Sequence, residues 1–167
     1  MIAILATISI VSFNGIQTRA NNTKTITATK EYVKAYSYYA TDKGSYPNVA
    51  GCLGEVNPTT GSCLSQSGIA ECFGIGSSAT QLVNDALKPY MNNRIPSMSG
   101  QKIPCGNTTY VSGYAYFSTT SNSPVLLMLL RGDQACPSMS PNVESKNKSY
   151  LDDMTTCRYV LSNADLL

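Results

Sequence analysis

The chain has 167 residues, a formal net charge of +2 and no histidine. That length suits one domain with a real core plus an extension, and so small a charge gives no reason to expect nucleic acid or an acidic substrate. Charged residues are 13% of the chain, about half the usual share, and serine, threonine, asparagine and glycine fill the gap, as they do on many secreted and surface-exposed proteins.

The chain opens on an uncharged apolar run, Met1–Phe13. From Asn14 the character changes without a helix-ending signal. Ile16, Ala20, Thr23, Ile26, Val33, Tyr36 and Ala40 recur at steps of three, four or seven, with Arg19, Lys24, Lys30, Glu31 and Lys34 between them. That is the period of a helix with one sticky stripe. The first convincing stop is Asp42-Lys43-Gly44, backed by Pro47, because glycine takes the left-handed cap and proline bars continuation. One helix from about Ile2 to about Tyr39 is expected. It would be about 57 Å long, against a radius of gyration of about 14 Å for a globule built from the remainder. The apolar end therefore protrudes, and a protruding greasy rod requires a membrane or other copies of itself.

Six cysteines follow, Cys52, Cys63, Cys72, Cys105, Cys136 and Cys157. Zinc sites want short Cys-x-x-Cys spacings or histidines, and this set has neither, so disulfides are expected. Of the many pairings open to six cysteines, Cys52–Cys63, Cys72–Cys105 and Cys136–Cys157 are preferred because each encloses one loop or hairpin. Disulfides put the domain outside the reducing cytoplasm. The positive residues nearest the apolar run, Arg19, Lys24 and Lys30, all follow it, and the positive-inside rule alone would hold that side in the cytoplasm. A basic leader ahead of Met1 would remove the conflict.

Residues 48–76 read as a cysteine-closed loop, with Asn57-Pro58-Thr59-Thr60-Gly61 as a turn and Gly51, Gly54 and Gly74 as further punctuation. Ser77-Ser78 reads as the N-cap of a short helix from Ala79 to about Met91, burying Leu82, Val83, Ala86 and Leu87, with Pro89 kinking or ending it. Ile95-Pro96 and Ile103-Pro104 force extended backbone. Tyr110–Ser118 reads as a strand with Tyr110, Ser112, Tyr114 and Tyr116 on one face and Val111, Ala115 and Phe117 on the other. Val125–Arg131 is a continuous apolar run, as in a central strand covered on one side. It is joined to its predecessor by a hairpin loop over Thr119–Pro124, and is far too short for a helical membrane span. Thr156–Leu161 is a weaker third strand. The expected fold class is α+β: a long N-terminal helix packed on a small antiparallel sheet, with a disulfide-closed loop region. The expected divisions are residues 1–40 for the helix, with 1–13 protruding, 41–107 for the loop region and its short helix, and 108–167 for the sheet and C-terminal disulfide loop.

Little in the chain suggests chemistry. An enzyme needs a nucleophile with a base, a metal or paired carboxylates, and without histidine the usual general base is missing. Asp152-Asp153, the only adjacent acidic pair, reads as a solvated turn. There is no glycine-rich phosphate loop. No catalytic, cofactor-binding or metal-binding residue is assigned. Arg131-Gly132-Asp133 spells a receptor-binding tripeptide of some matrix proteins, but at a strand end it is more simply a turn. Asn21-Asn22-Thr23, Asn107-Thr108-Thr109 and Asn147-Lys148-Ser149 match the glycosylation pattern, which arises by chance in so asparagine-rich a chain. Tyr32, Tyr36, Tyr38 and Tyr39, from eleven tyrosines, have the makings of a stacking surface for nucleic acid; filling the seam between helix and sheet is the plainer expectation.

An apolar run containing Ala3-Ile4-Leu5-Ala6, passing unbroken into an amphipathic helix that ends in Gly44-Ser45-Tyr46-Pro47, resembles a type IV pilin or pseudopilin. The resemblance covers the first fifty or so residues and is looser beyond. Ala86-Leu87-Lys88-Pro89-Tyr90 matches a loop helix, and Cys136 with Cys157 the C-terminal disulfide, that such proteins often carry. The chain departs from the family in lacking the cleavage site, the phenylalanine-rich opening and the assembly glutamate, and in having Val11 where a proline is often found. Met1–Phe13 also falls short of the roughly 20 residues a bilayer needs. We therefore expect a leader and about a dozen further residues to precede Met1, the shortfall against that span.

The resemblance implies a structural subunit that sits in the cytoplasmic membrane and is drawn into an extracellular helical homo-oligomer by pilus assembly machinery, with Ile2, Ile4, Leu5, Ile8, Ile10 and Phe13 as its assembly surface. No cofactor is expected, and the small net charge gives no reason to expect a nucleic-acid partner. A minor pseudopilin of a type II secretion or DNA-uptake machine shares these features. A secreted binding protein with Met1–Phe13 as signal peptide is the remaining alternative, although it lacks a basic start and an Ala-x-Ala site.

Overall fold

The long helix dominates the molecule. The computed structural model describes the backbone of residues 2–54, 81–105, 108–110, 113–139 and 143–162, and the side chains of the same ranges except 2–14, 105, 108 and 144–146. Helix α1 runs Ile2–Lys43, one turn beyond the expected Tyr39. Nothing before Gly44 resists helical geometry; there φ is +73° and the Gly44 N–H donates to the Ala40 carbonyl at 2.8 Å, a left-handed glycine cap. The hydroxyls that crowd this helix bond one turn back. Thr23 donates to the Arg19 carbonyl, Thr29 to Thr25, Ser37 to Val33 and Thr41 to Ser37, so they stay satisfied without leaving the helix.

The single stripe expected along α1 is two faces. The buried residues are Asn22, Thr25, Ala28, Thr29, Tyr32, Val33, Ala35, Tyr36 and Ala40. Ile16 is 65% exposed, and Ala20 and Thr23 are exposed with it. Steps of three, four and seven look like one stripe locally, but at 100° per residue Tyr36 lies about 160° around the helix from Ile16.

Strand β1 is Gly51–Leu53. After it the description resumes at Gln81, so the expected turn at Asn57–Gly61 and the Ser77-Ser78 cap lie outside the described residues. Helix α2 is Leu82–Leu87, followed by a 3₁₀ turn, Lys88–Met91, where Pro89 has no N–H to give. Leu82, expected inside, is 52% exposed, and Asn84 is fully buried beside Val83 and Leu87. The expected strand Tyr110–Ser118 is divided. Strand β2, Ile103–Cys105, pairs antiparallel with β3, Thr108–Tyr110, while β4, Gly113–Ser118, joins the main sheet. At Gly113 a Cβ would sit 2.6 Å from the Leu127 carbonyl oxygen, so β4 enters the sheet at a point where only glycine fits.

Strand β5, Ser123–Arg131, is central; β6 is Val143–Leu151 and β7 is Met154–Leu161. The antiparallel five-stranded sheet has the order β1-β4-β5-β7-β6. Strand order does not follow chain order throughout, because β7 and not β6 lies against β5. The connection between β5 and β6 crosses β7 on its helix-facing side, held by the Cys136–Cys157 disulfide and by the Tyr159 hydroxyl, which donates to the Pro137 carbonyl at 2.9 Å. Strand β5 is buried on both faces, not one. Leu126, Met128 and Leu130 join α1, Leu53, Leu87 and Tyr159 in the main core; Val125 and Leu127 join Val160 on the other face against Tyr114 and Tyr116. The fold is thus α+β, a helix laid on an antiparallel sheet and stapled by one described disulfide pair.

Candidate functional site

Three places on this scaffold gather polar or aromatic groups. The first is the base of the sheet, where β5 ends against α1. The Asn22 side chain donates Nδ2–H to the Arg131 carbonyl and accepts the Arg131 N–H at Oδ1, both at 3.0 Å. One buried amide thereby completes the last rung of β5 and fixes the strand end to the helix. The Arg131-Gly132-Asp133 turn starts there. Gly132 takes φ +77°, its N–H donates to the Asp153 carbonyl at 2.8 Å, and Thr155 Oγ1 donates to its carbonyl while accepting from the Gln134 N–H. Arg131 Nε donates to Asp153 Oδ2 at 2.6 Å, and Lys148 pairs with Asp133. Both charged side chains of the tripeptide pair within the chain, and the tripeptide forms a turn at the end of β5. Asp152-Asp153 forms the tight β6–β7 turn, with Asp152 at φ +52°. Beside this turn lies an open groove of about 650 Å³, lined by Gly15, Thr18, Arg19, Gln101, Arg131 and Asp153 among others.

The second place is a buried knot between α1, α2 and the end of β1. Tyr32 donates its hydroxyl proton to Asn84 Oδ1 and accepts the Gly54 N–H at 2.7 Å. Asn84 Nδ2 donates to the Gly54 carbonyl at 2.8 Å and to Gln81 Oε1 at 2.7 Å. Gly54 stands at φ +84°, and a Cβ there would meet Met98 Cγ at 2.4 Å; glycine is required on both counts. Burial raises the Tyr32 phenol pKa, partly opposed by the Gly54 hydrogen bond. Burial also raises that of Tyr36, whose hydroxyl has no hydrogen-bond partner among the described residues.

The third is an aromatic corner at the C-terminal end of α1. Tyr39 and Tyr90 meet edge to face at 5.4 Å, and the Tyr90 hydroxyl donates to Asp42 Oδ2 at 2.7 Å. That bond, then Lys43, holds the Asp42 carboxyl below its ordinary range. Tyr32 and Tyr36 are fully buried and only Tyr38, 60% exposed, stands free. Tyr32 and Tyr36 fill the seam between helix and sheet, and Tyr39 packs on Tyr90.

Ile2, Ile4, Leu5, Ile8, Ile10 and Phe13 lie on α1, but their side chains fall outside the described residues. The Cys136–Cys157 pairing is as expected. Cys52 is disulfide-bonded to a partner outside the described side chains, so the pairings Cys52–Cys63 and Cys72–Cys105 also lie outside them. Among the described residues no group of three or more acidic, cysteine or histidine side chains converges to hold a metal, and no helix is long and apolar enough to cross a membrane. Asn22 and Asn84 tie the fold together, and sequence reading missed both. Their only signal is an amide on the sheet-facing side of α1, and an amide between Val83 and Ala86 where an apolar residue is expected. Comparison with family models, with curated proteins and with solved structures finds no match.

Proposed function

We propose that this chain is a structural subunit of a type IV pilus-like surface filament, polymerising through its apolar N-terminal helix. The observation that carries the reading is the helix itself. It is 42 residues long, about 63 Å, and the first buried side chain among those described, from Gly15 onward, is Asn22. Ile16, Ala20 and Thr23 are exposed and uncharged, continuing the character of the Met1–Phe13 run onto the described surface. In the assembled fibre, Ile2, Ile4, Leu5, Ile8, Ile10 and Phe13 pack against neighbouring helices, which replace the lipid contact of the membrane-held subunit. At about 1.5–3 kcal/mol for each fully buried apolar side chain, those six alone offer on the order of 10 kcal/mol before ordering costs. The order of parts supports a pilin-like reading: a capped helix, a loop with a short helix, then an antiparallel sheet closed by a C-terminal disulfide. The continuity of α1 through Phe13 to Lys43 weighs against a signal peptide ending at Phe13.

Fibres sheared from cells that make this chain test the reading. They are expected to contain it as a main component, and Ile8→Lys or Phe13→Lys is expected to abolish them without changing the melting of the folded head. Fibres that persist with either lysine, or a chain found on the surface only as a monomer, would overturn it. Presence in fibres at trace levels would favour a minor pseudopilin.

A further inference from the structure

The groove at the base of the sheet holds charge and hydrogen-bonding capacity that the fold leaves unused. Arg19 is exposed and makes no ion pair among the described residues. Arg131 uses Nε on Asp153 Oδ2, which leaves its two terminal nitrogens and Asp153 Oδ1 without a described partner. Gln101, the other side chain in this set, has an Oε1 screened from solvent with no hydrogen-bond partner among the described residues. All four line the same space of about 650 Å³, the size of a small-molecule site.

The composition of that lining selects a ligand chemistry. A bare anion satisfies Arg19 but must share the groove with Asp153; a bare cation meets the reverse. Arg131 and Asp153 already neutralise each other, so the open positions are a guanidinium at Arg19 and an acceptor edge at Asp153 Oδ1. The geometry points to a binding site for a small zwitterion, in which an anionic phosphate or carboxylate takes the Arg19 guanidinium and a primary ammonium donates to Asp153 Oδ1. Arg19 and Arg131 suit the anionic end because guanidinium donors match planar and tetrahedral oxyanions. The cationic end must carry N–H, since Asp153 Oδ1 offers an acceptor; a quaternary ammonium has none to give. Two sources supply this chemistry, a free amino acid and a phosphoethanolamine lipid headgroup. The lipid source rests on the membrane-held subunit proposed above, in which a groove bordered by Gly15 and Arg19 stands next to the apolar run.

The test titrates the full chain in detergent micelles with soluble probes, reading amide NMR shifts at Thr18 and Gly132. Glycerophosphoethanolamine or glycine is expected to bind at least tenfold more tightly than glycerophosphocholine or inorganic phosphate. Stronger binding of the first assigns the lipid headgroup, and stronger binding of the second the amino acid. Arg19→Gln is expected to weaken the preferred zwitterion at least tenfold with unchanged melting. Equal binding of all four probes, an absence of saturable shifts, or indifference to Arg19→Gln would overturn the site. A negative titration leaves the filament reading standing, because Arg19 is no part of the apolar assembly surface, and loss of fibres in the lysine variants does not alter the titration.

Discussion

Replacing Tyr32 with phenylalanine removes one oxygen from the centre of the core, and its cost follows from who is left without a partner. The Tyr32 hydroxyl donates to Asn84 Oδ1 and accepts from the Gly54 N–H, and Tyr32 and Asn84 are both fully buried. Without it, a backbone donor and a side-chain acceptor stay buried and unpaired. Each such orphan costs about 1–3 kcal/mol, so Tyr32→Phe is expected to destabilise by about 2–6 kcal/mol, a large part of the roughly 5–15 kcal/mol that holds a typical domain. Tyr36→Phe is the matched control. Its hydroxyl is equally buried but unpartnered among the described residues, so its removal is expected to be neutral or to stabilise by about 1 kcal/mol. The assay is urea unfolding of the disulfide-intact protein followed by circular dichroism, with the midpoint moving and the slope constant. If both phenylalanine variants shift the midpoint equally, or if Tyr32→Phe costs less than about 0.5 kcal/mol, the hydrogen-bond accounting behind this knot is wrong.

Three further outcomes are expected. Asn22→Ala should cost about 1–3 kcal/mol in the same urea assay, since it strips both the N–H and the carbonyl of Arg131 of their partner at a partly buried strand end. Changing Cys136 and Cys157 together to serine should cost about 3 kcal/mol by the loop-closure relation for a sequence separation of 21, read as a drop in melting temperature against the oxidised parent. Alkaline titration should destabilise the fold from about pH 10 upward, because Tyr32, Tyr36 and Tyr159 have folded pKa values raised by burial. The stability from these groups is complete below the ordinary phenol pKa. It falls as pH rises through the raised values, since the unfolded chain gives up those protons first. Melting temperatures measured from pH 8 to 11 check this, and a flat profile would contradict it.

Much of this fold is legible in the residues because the relevant signals are local. Asp42-Lys43-Gly44 announces a helix end, and Gly44 at φ +73° delivers it. Val125–Arg131 reads as a central strand, and β5 is one. What stayed hidden has non-local causes. Strand β6 carries Val-Glu-Ser-Lys-Asn-Lys-Ser-Tyr-Leu. Residues 147–151 are exposed and the strand lies at the edge of the sheet, so no buried face imposed an apolar alternation on that stretch. Strand β1 is three residues long, too short to show a period at all. The division of Tyr110–Ser118 turns on Gly113, whose meaning is the nearby Leu127 carbonyl, a contact with a residue in the next strand.

The same reasoning explains why the candidate site was harder to read than the scaffold. Arg131-Gly132-Asp133 looks adhesive as a string of letters, and becomes an ordinary turn once Asp153 and Lys148 claim its charges. Arg19 looks like one more cation between stripe residues, and becomes unusual only because Asp153, far away in sequence, already belongs to Arg131. A charged side chain acquires functional meaning from what its neighbours leave unsatisfied, and that quantity exists only after the chain has folded. The apolar run behaves in the opposite way. Its character is fixed residue by residue, and exposed Ile16 at the other side of Asn14-Gly15 extends it onto the part of α1 that turns away from the sheet. If sister helices cover that face, a charge introduced at Ile16 must weaken assembly while leaving the unfolding midpoint of the head unchanged, since Ile16 belongs to no described core cluster. An Ile16→Lys chain that assembles as well as the parent would confine the contact surface to residues before Asn14.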